Sequence, residues 1–183
     1  RDVAEYTGSP ESFGGRIKTL HPRIAGGLLA DWTSEKDRAE AKKLDIEPLQ
    51  IVVNNLYAFE NKPEVEMIDV GGPTMIRAAA KNFASIAVIT DPADYDYLMT
   101  LLDDNDGEIP LAVRKELALK VFEKTSLYDS SIAKWFGSKM LHVSCFMLQD
   151  LRYGENPHQK ATLYQFGTQY AEHFKQIQGK ELS

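Results

Sequence analysis

Two short apolar runs, Gln50 to Leu56 (QIVVNNL) and Ile86 to Thr90 (IAVIT), bracket a helical segment, and this arrangement restricts the fold more than any other feature of the chain. Continuous runs of this length and β-branched character read as strands buried on both faces. Between them, residues 73–81 keep a helical pattern. At 100° per residue, Met75, Ile76, Ala79 and Ala80 share one side, while Thr74, Arg77 and Lys81 share the other. A strand–helix–strand unit predicts a parallel pair with a right-handed crossover, hence an α/β domain with helices flanking a parallel sheet. After Asp91-Pro92 a helix is expected at about 93–103. Val113, Leu117, Val121, Tyr128, Ile132 and Phe136 then keep helical spacing, as one long helix or two in series. Ser34 reads as the N-cap of a charged helix over about 35–44. Glycines and turn formers crowd residues 1–30, so loops are expected there, with little regular structure until Leu28.

The 183 residues, 43% hydrophobic and 26% charged, suit one domain, or one domain with a piece of another. A net charge of −6 with no basic run argues against nucleic acid as a partner, since phosphate-backbone binding needs a concentrated positive face. No apolar stretch reaches membrane-spanning length and no signal-peptide pattern opens the chain, so no membrane partner is expected. Cys145 is the single cysteine, and His21, His142, His158 and His173 lack metal-ligand spacing, so no metal is assigned. A reducing, cytoplasmic setting fits this usage. The chain opens at Arg1 and closes at Ser183 in sequence that reads as mid-domain, so a fragment at both ends is the expectation.

Two segments carry chemistry. Gly14-Gly15-Arg16-Ile17-Lys18-Thr19-Leu20-His21-Pro22 puts two cations and a hydroxyl on a glycine-flexible loop, a combination suited to gripping phosphate. The alternative is a short exposed strand with its cations facing outward. Asp69-Val70-Gly71-Gly72-Pro73-Thr74 aims a carboxylate, two glycines and a helix N-terminus at one point, with Lys81 on the helix that follows. Its alternative is an ordinary amphipathic helix with a wet basic face. Asp69 is expected at the end of a strand, and Tyr57 directly follows the strand 50–56, so both should reach one sheet edge, where open α/β sheets bind ligands. His21, before a proline, reads as a hydrogen-bonded structural residue. Arg152 beside Tyr153 is a weaker signal for a phosphate clamp with a stacked base.

GGRIKTLHP, NLYAFE, IDVGGPTMIRAAAKN, DPADY and LRYGENPHQ, in this order, closely resemble the bifunctional purine-biosynthesis family. In that family an inosine monophosphate (IMP) cyclohydrolase domain precedes an aminoimidazole carboxamide ribonucleotide (AICAR) transformylase domain. The resemblance implies a methylglyoxal-synthase-like parallel sheet with flanking helices over residues 1–140, lacking its amino-terminal part. A linker over 141–150 and the start of a second α/β domain over 151–183 would follow. It implies catalytic roles for Lys18, Tyr57, Asp69 and Lys81, and substrate contacts from Arg16, Thr19, Gly71 and Gly72, with Arg152 and Tyr153 binding AICAR. The implied chemistry is dehydrative closure of formyl-AICAR to IMP, without metal or redox cofactor. The adjoining domain would use 10-formyltetrahydrofolate as co-substrate, and a homodimer is expected. Four features depart from the family pattern: the amino-terminal phosphate loop and the Lys-His pair for formyl transfer are absent, Ala25 replaces a histidine, and Ala58 replaces a proline. Two other readings stay open: a methylglyoxal-synthase-like lyase acting on a sugar phosphate, and a non-catalytic nucleotide-binding or dimerisation module.

Overall fold

The computed structural model describes residues 2–140, 145–151 and 158–166, which fall in two compact units, Arg1–Ser138 and Lys139–Ser183. The first unit runs α1 (Val3–Thr7), α2 (Pro22–Leu29), α3 (Glu35–Lys43), β1 (Ile51–Val53), α4 (Gly71–Lys81), β2 (Ala87–Ile89), α5 (Tyr95–Asp104) and α6 (Leu111–Trp135). β1 and β2 pair in parallel, with Val52 opposite Val88, so the expected strand–helix–strand unit is present. The two faces of β2 bury different partners. Val88, with Val52, packs against Ile24 and Leu28 of α2, Ile76, Ala79 and Ala80 of α4, and Ala118 and Val121 of α6. Ala87 and Ile89 face Leu98 of α5 and Leu117 of α6. The apolar face expected for α4 is therefore the buried one, while Thr74, Arg77 and Lys81 are exposed.

Four expectations need correction. β2 is buried throughout, but β1 buries only Val52 and leaves Ile51 and Val53 exposed, because helices cover one of its faces. Residues 22–29 form a helix despite Gly26 and Gly27. Here the glycines serve packing: a Cβ at Gly26 would lie 2.6 Å from Ile46 Cδ1, and one at Gly27 would lie 2.7 Å from the Glu47 carbonyl. Pro22 at the first turn and His21, whose Nδ1 accepts from the Arg23 N–H at 3.2 Å, start that helix. No strand precedes Asp69, which instead follows a 3-10 turn at Val65–Met67. In the second unit, β3 (Cys145–Leu151) runs through the segment read as a linker and pairs antiparallel with β4 (Ala161–Phe166). The run Cys145-Phe146-Met147-Leu148 supplies the β-forming residues.

α3 begins where Ser34 predicts, with the Asp37 N–H donating to Ser34 Oγ at 3.3 Å. α6 is one continuous helix of 25 residues. No helix is long and apolar enough to cross a membrane among the described residues.

Candidate active site at the start of helix α4

α4 begins at Gly71, two residues earlier than the periodicity predicts. Asp69 Oδ1 accepts from the Gly72 N–H at 2.8 Å, which satisfies one of the orphan donors of the first turn. Pro73 has no N–H to satisfy. The two glycines are positions of close approach. A Cβ at Gly72 would overlap Asp69 Oδ2 and lie 2.9 Å from its Cγ, and one at Gly71 would lie 2.9 Å from Thr19 Oγ1. Missing side chains thus let a carboxylate and a hydroxyl from another loop close on the same helix end.

The Thr19 loop is shaped locally. Ser12 and Ile17 form an antiparallel bridge, and the turn between them holds three successive left-handed residues: Phe13, Gly14 and Gly15 at φ 54°, 65° and 90°. Glycine adopts that region freely, which explains the Gly14-Gly15 pair. The loop then sends out Arg16 and Lys18, two residues apart. Arg16 pairs with Glu66 at 2.5 Å and Lys18 with Glu11 at 3.1 Å. All four side chains are about half exposed or more, so each pair contributes little to stability and can exchange for an incoming anion.

Arg16, Lys18, Thr19, Tyr57, Asp69, Gly71 and Gly72 all line one cavity of about 760 Å³, a volume that suits a nucleotide-sized ligand. The lining brings together two cations, Arg16 and Lys18, and the N-terminal end of a helix, which favour negative charge, with the carboxylates of Glu11, Glu66 and Asp69 and the Tyr57 phenol in the same cavity. Lys81 is not brought there. It lies exposed at the last residue of α4, ten residues from Gly71, or about 15 Å along the axis at 1.5 Å per residue. Arg152 and Tyr153 lie outside the described residues. Among the described residues no His, Cys, Asp and Glu cluster could hold a metal ion.

Three contributors were not singled out in the sequence. Asn54 lines the cavity at the carboxyl end of β1, its N–H donating to the Ile89 carbonyl at 2.9 Å; the polar Asn54-Asn55 pair closing an apolar run was its signal. Glu66 enters as the ion-pair partner of Arg16, a contact across fifty positions that spacing cannot show. Tyr128, counted within an apolar helical stripe, sends its hydroxyl to the Met67–Asp69 backbone. Burial pushes its phenol above the ordinary tyrosine range, and the nearby Asp69 and Asp129 carboxylates add to that, although the bond from the Asp69 N–H pulls the other way.

The family model for the AICARFT/IMPCHase bienzyme matches residues 79–183, more than half of the chain. The bifunctional purine biosynthesis protein PurH of Synechococcus elongatus is 48% identical over 99% of this chain, and that of Bacillus cereus 46% identical over the same share. The chain spans 39% of the length of each. The solved structure titled crystal structure of ForH superposes with a TM-score of 0.66 at 38% identity, covering 74% of this chain and 75% of that one. On these matches, the chain belongs to the AICARFT/IMPCHase bienzyme family.

Proposed function

We propose that this chain forms most of the cyclohydrolase portion, and the opening of the transformylase portion, of a purine-biosynthesis enzyme that closes formyl-AICAR to IMP. The observation that carries the proposal is the shared cavity of Lys18, Thr19, Tyr57 and Asp69 at the N-terminus of α4. Closure requires the carboxamide nitrogen to attack the formyl carbon, after which the former carbonyl oxygen leaves as water. Asp69, with one oxygen held by the Gly72 N–H, keeps its second oxygen to orient or deprotonate the carboxamide. Lys18 and the neighbouring backbone stabilise the oxygen as charge develops on it, and Tyr57 relays the proton that departs with it. Because both reacting groups belong to one molecule, folding the substrate correctly supplies much of the acceleration. Arg16 and Thr19 would hold the nucleotide's anionic and polar groups once Glu66 and Glu11 release their partners.

In this reading the unit ending at Ser138 has the methylglyoxal-synthase-like fold. Residues beyond it begin the transformylase domain, where Arg152 and Tyr153 would meet AICAR. The formyl donor, 10-formyltetrahydrofolate, is the co-substrate of that second domain. A cytoplasmic homodimer completes the proposal. Lys81 has no step inside this cavity; a role for it would need a route to the site other than the one described. The test is ring closure in the complete protein that carries this chain, followed by IMP absorbance. Asp69→Ala and Lys18→Ala should each lower turnover by roughly 10²-fold or more, the usual scale for a positioned base or oxyanion donor. Near-normal turnover in either variant would remove that residue from the mechanism.

A further inference from the structure

Helix α6 extends beyond the sheet it packs on. Its first half buries Leu117, Ala118 and Val121 against the strands and α4. Its second half carries Thr125, Tyr128, Ser131 and Trp135, at spacings of three, three and four along one face. Each of these meets an element around the cavity. Arg77 of α4 donates to Thr125 Oγ1 at 3.2 Å, Ser131 Oγ donates to Glu60 at 2.7 Å, and the Trp135 ring meets Phe59 edge-on at 5.9 Å. Tyr128, in the middle of this stripe, reaches the segment that presents Asp69.

We infer that Tyr128 is a positioning residue for Asp69, its phenol oxygen fixing the backbone from which that carboxylate enters the cavity. The inference rests on the reading of Asp69 as the group that acts on the carboxamide. Tyr128 Oη accepts from the Asp69 N–H at 2.8 Å and donates to the Met67 carbonyl at 2.9 Å. Residues 68–70 belong to no helix or strand; the Ile68 N–H bonds the Val65 carbonyl and the Val70 carbonyl accepts from the Thr74 N–H, but the Asp69 N–H between them goes to Tyr128. Asp69 is instead clamped from two sides: its amide by α6, and one carboxylate oxygen by the Gly72 N–H of α4. The second oxygen remains for substrate. The Tyr128 ring is itself set by edge-on contact with the buried Phe59, at 6.3 Å and 74°. A tyrosine hydroxyl is protonated at neutral pH even at its ordinary value near 10, and burial only raises it further, so the proton that donation to Met67 requires is present.

Tyr128→Phe preserves the ring and removes only the oxygen, so it isolates the clamp. In the complete protein, kcat for ring closure should fall about tenfold to a hundredfold, the cost of a carboxylate displaced by a fraction of an ångström to an ångström. KM for the nucleotide should stay within about twofold. On an Asp69→Ala background, Tyr128→Phe should cost nothing further, because it acts through the missing carboxylate. Exchange of the Asp69 amide proton should quicken at least tenfold while the Val121 amide stays protected. A normal kcat in Tyr128→Phe beside a slowed Asp69→Ala would overturn the positioning role and leave the proposed function standing. So would an extra loss on the Asp69→Ala background. A normal rate in Asp69→Ala itself would instead sink the reading on which the inference rests.

Discussion

Gly72→Ala should separate stability from chemistry. Gly72 sits in the first turn of α4 with a backbone angle outside the left-handed region, so alanine introduces no strain there. It returns about 0.5–1 kcal/mol of helix propensity. The new Cβ would overlap Asp69 Oδ2 and stand 2.9 Å from Cγ and 3.1 Å from Oδ1. A short, half-buried side chain can turn aside, but it then gives up the 2.8 Å bond from the Gly72 N–H. Loss of a helix cap costs about 0.5–2 kcal/mol. The two terms largely offset, leaving a net destabilisation of at most about 1.5 kcal/mol and a shift of a few degrees in Tm. Ring closure responds differently, because the carboxylate leaves its productive position. A fall of about 10²-fold in kcat is expected. Thermal unfolding by circular dichroism and IMP formation by absorbance, on one preparation of the complete protein, give both readings. Full turnover with alanine would refute the assignment of Asp69. A rate loss explained by unfolding at the assay temperature would refute the claim that this glycine serves the site rather than the fold.

Gly27→Ala should behave in the opposite sense. Its Cβ would meet the Glu47 carbonyl at 2.7 Å, and a backbone oxygen cannot turn aside, so about 1–3 kcal/mol should be lost in denaturant unfolding. Glu66→Gln frees Arg16 from an exposed ion pair, and inorganic phosphate should bind up to about fivefold tighter by calorimetry, consistent with a pair worth at most about 1 kcal/mol. The Asp91 carboxyl is held below its ordinary value of 3.8, first by the Ala93 N–H and then by Lys124. Because the folded value is depressed, its stabilising contribution is present above pH 3.8 and fades as the pH falls through the folded value. The Tm gap between wild type and Asp91→Asn should therefore shrink over that acidic window.

The strand–helix–strand unit was legible because β-branched runs and a 3.6-residue period are local signals, and both are properties of the buried faces of β2 and α4. β1 misled for the same reason. Ile51 and Val53 look like core residues, yet burial depends on what covers a strand, and the helices cover only the Val52 side. α2 was missed because Gly26-Gly27 is a loop signal in sequence, whereas their role is to admit Ile46 and the Glu47 carbonyl. The loop cations and Asp69 were legible from residue type and neighbouring glycines, and they do share a cavity. Their partners were not. Glu66 and Tyr128 act over fifty or more positions, and Tyr128 fits an apolar stripe so well that its hydroxyl carries no sequence signal. Lys81 shows the reverse difficulty: it is close to Asp69 in sequence, but a straight helix carries it away from the cavity.

In the proposed function one cavity, formed by the Arg16–Thr19 loop and the start of α4, holds the purine nucleotide. The most direct test of this placement is a crystal structure of the complete protein with IMP. The six-membered ring should lie beside Asp69, with ring or phosphate oxygens within hydrogen-bond distance of Lys18 and Thr19, and the Arg16–Glu66 and Lys18–Glu11 pairs should be opened. IMP seated elsewhere, with both ion pairs intact and the cavity empty, would contradict it.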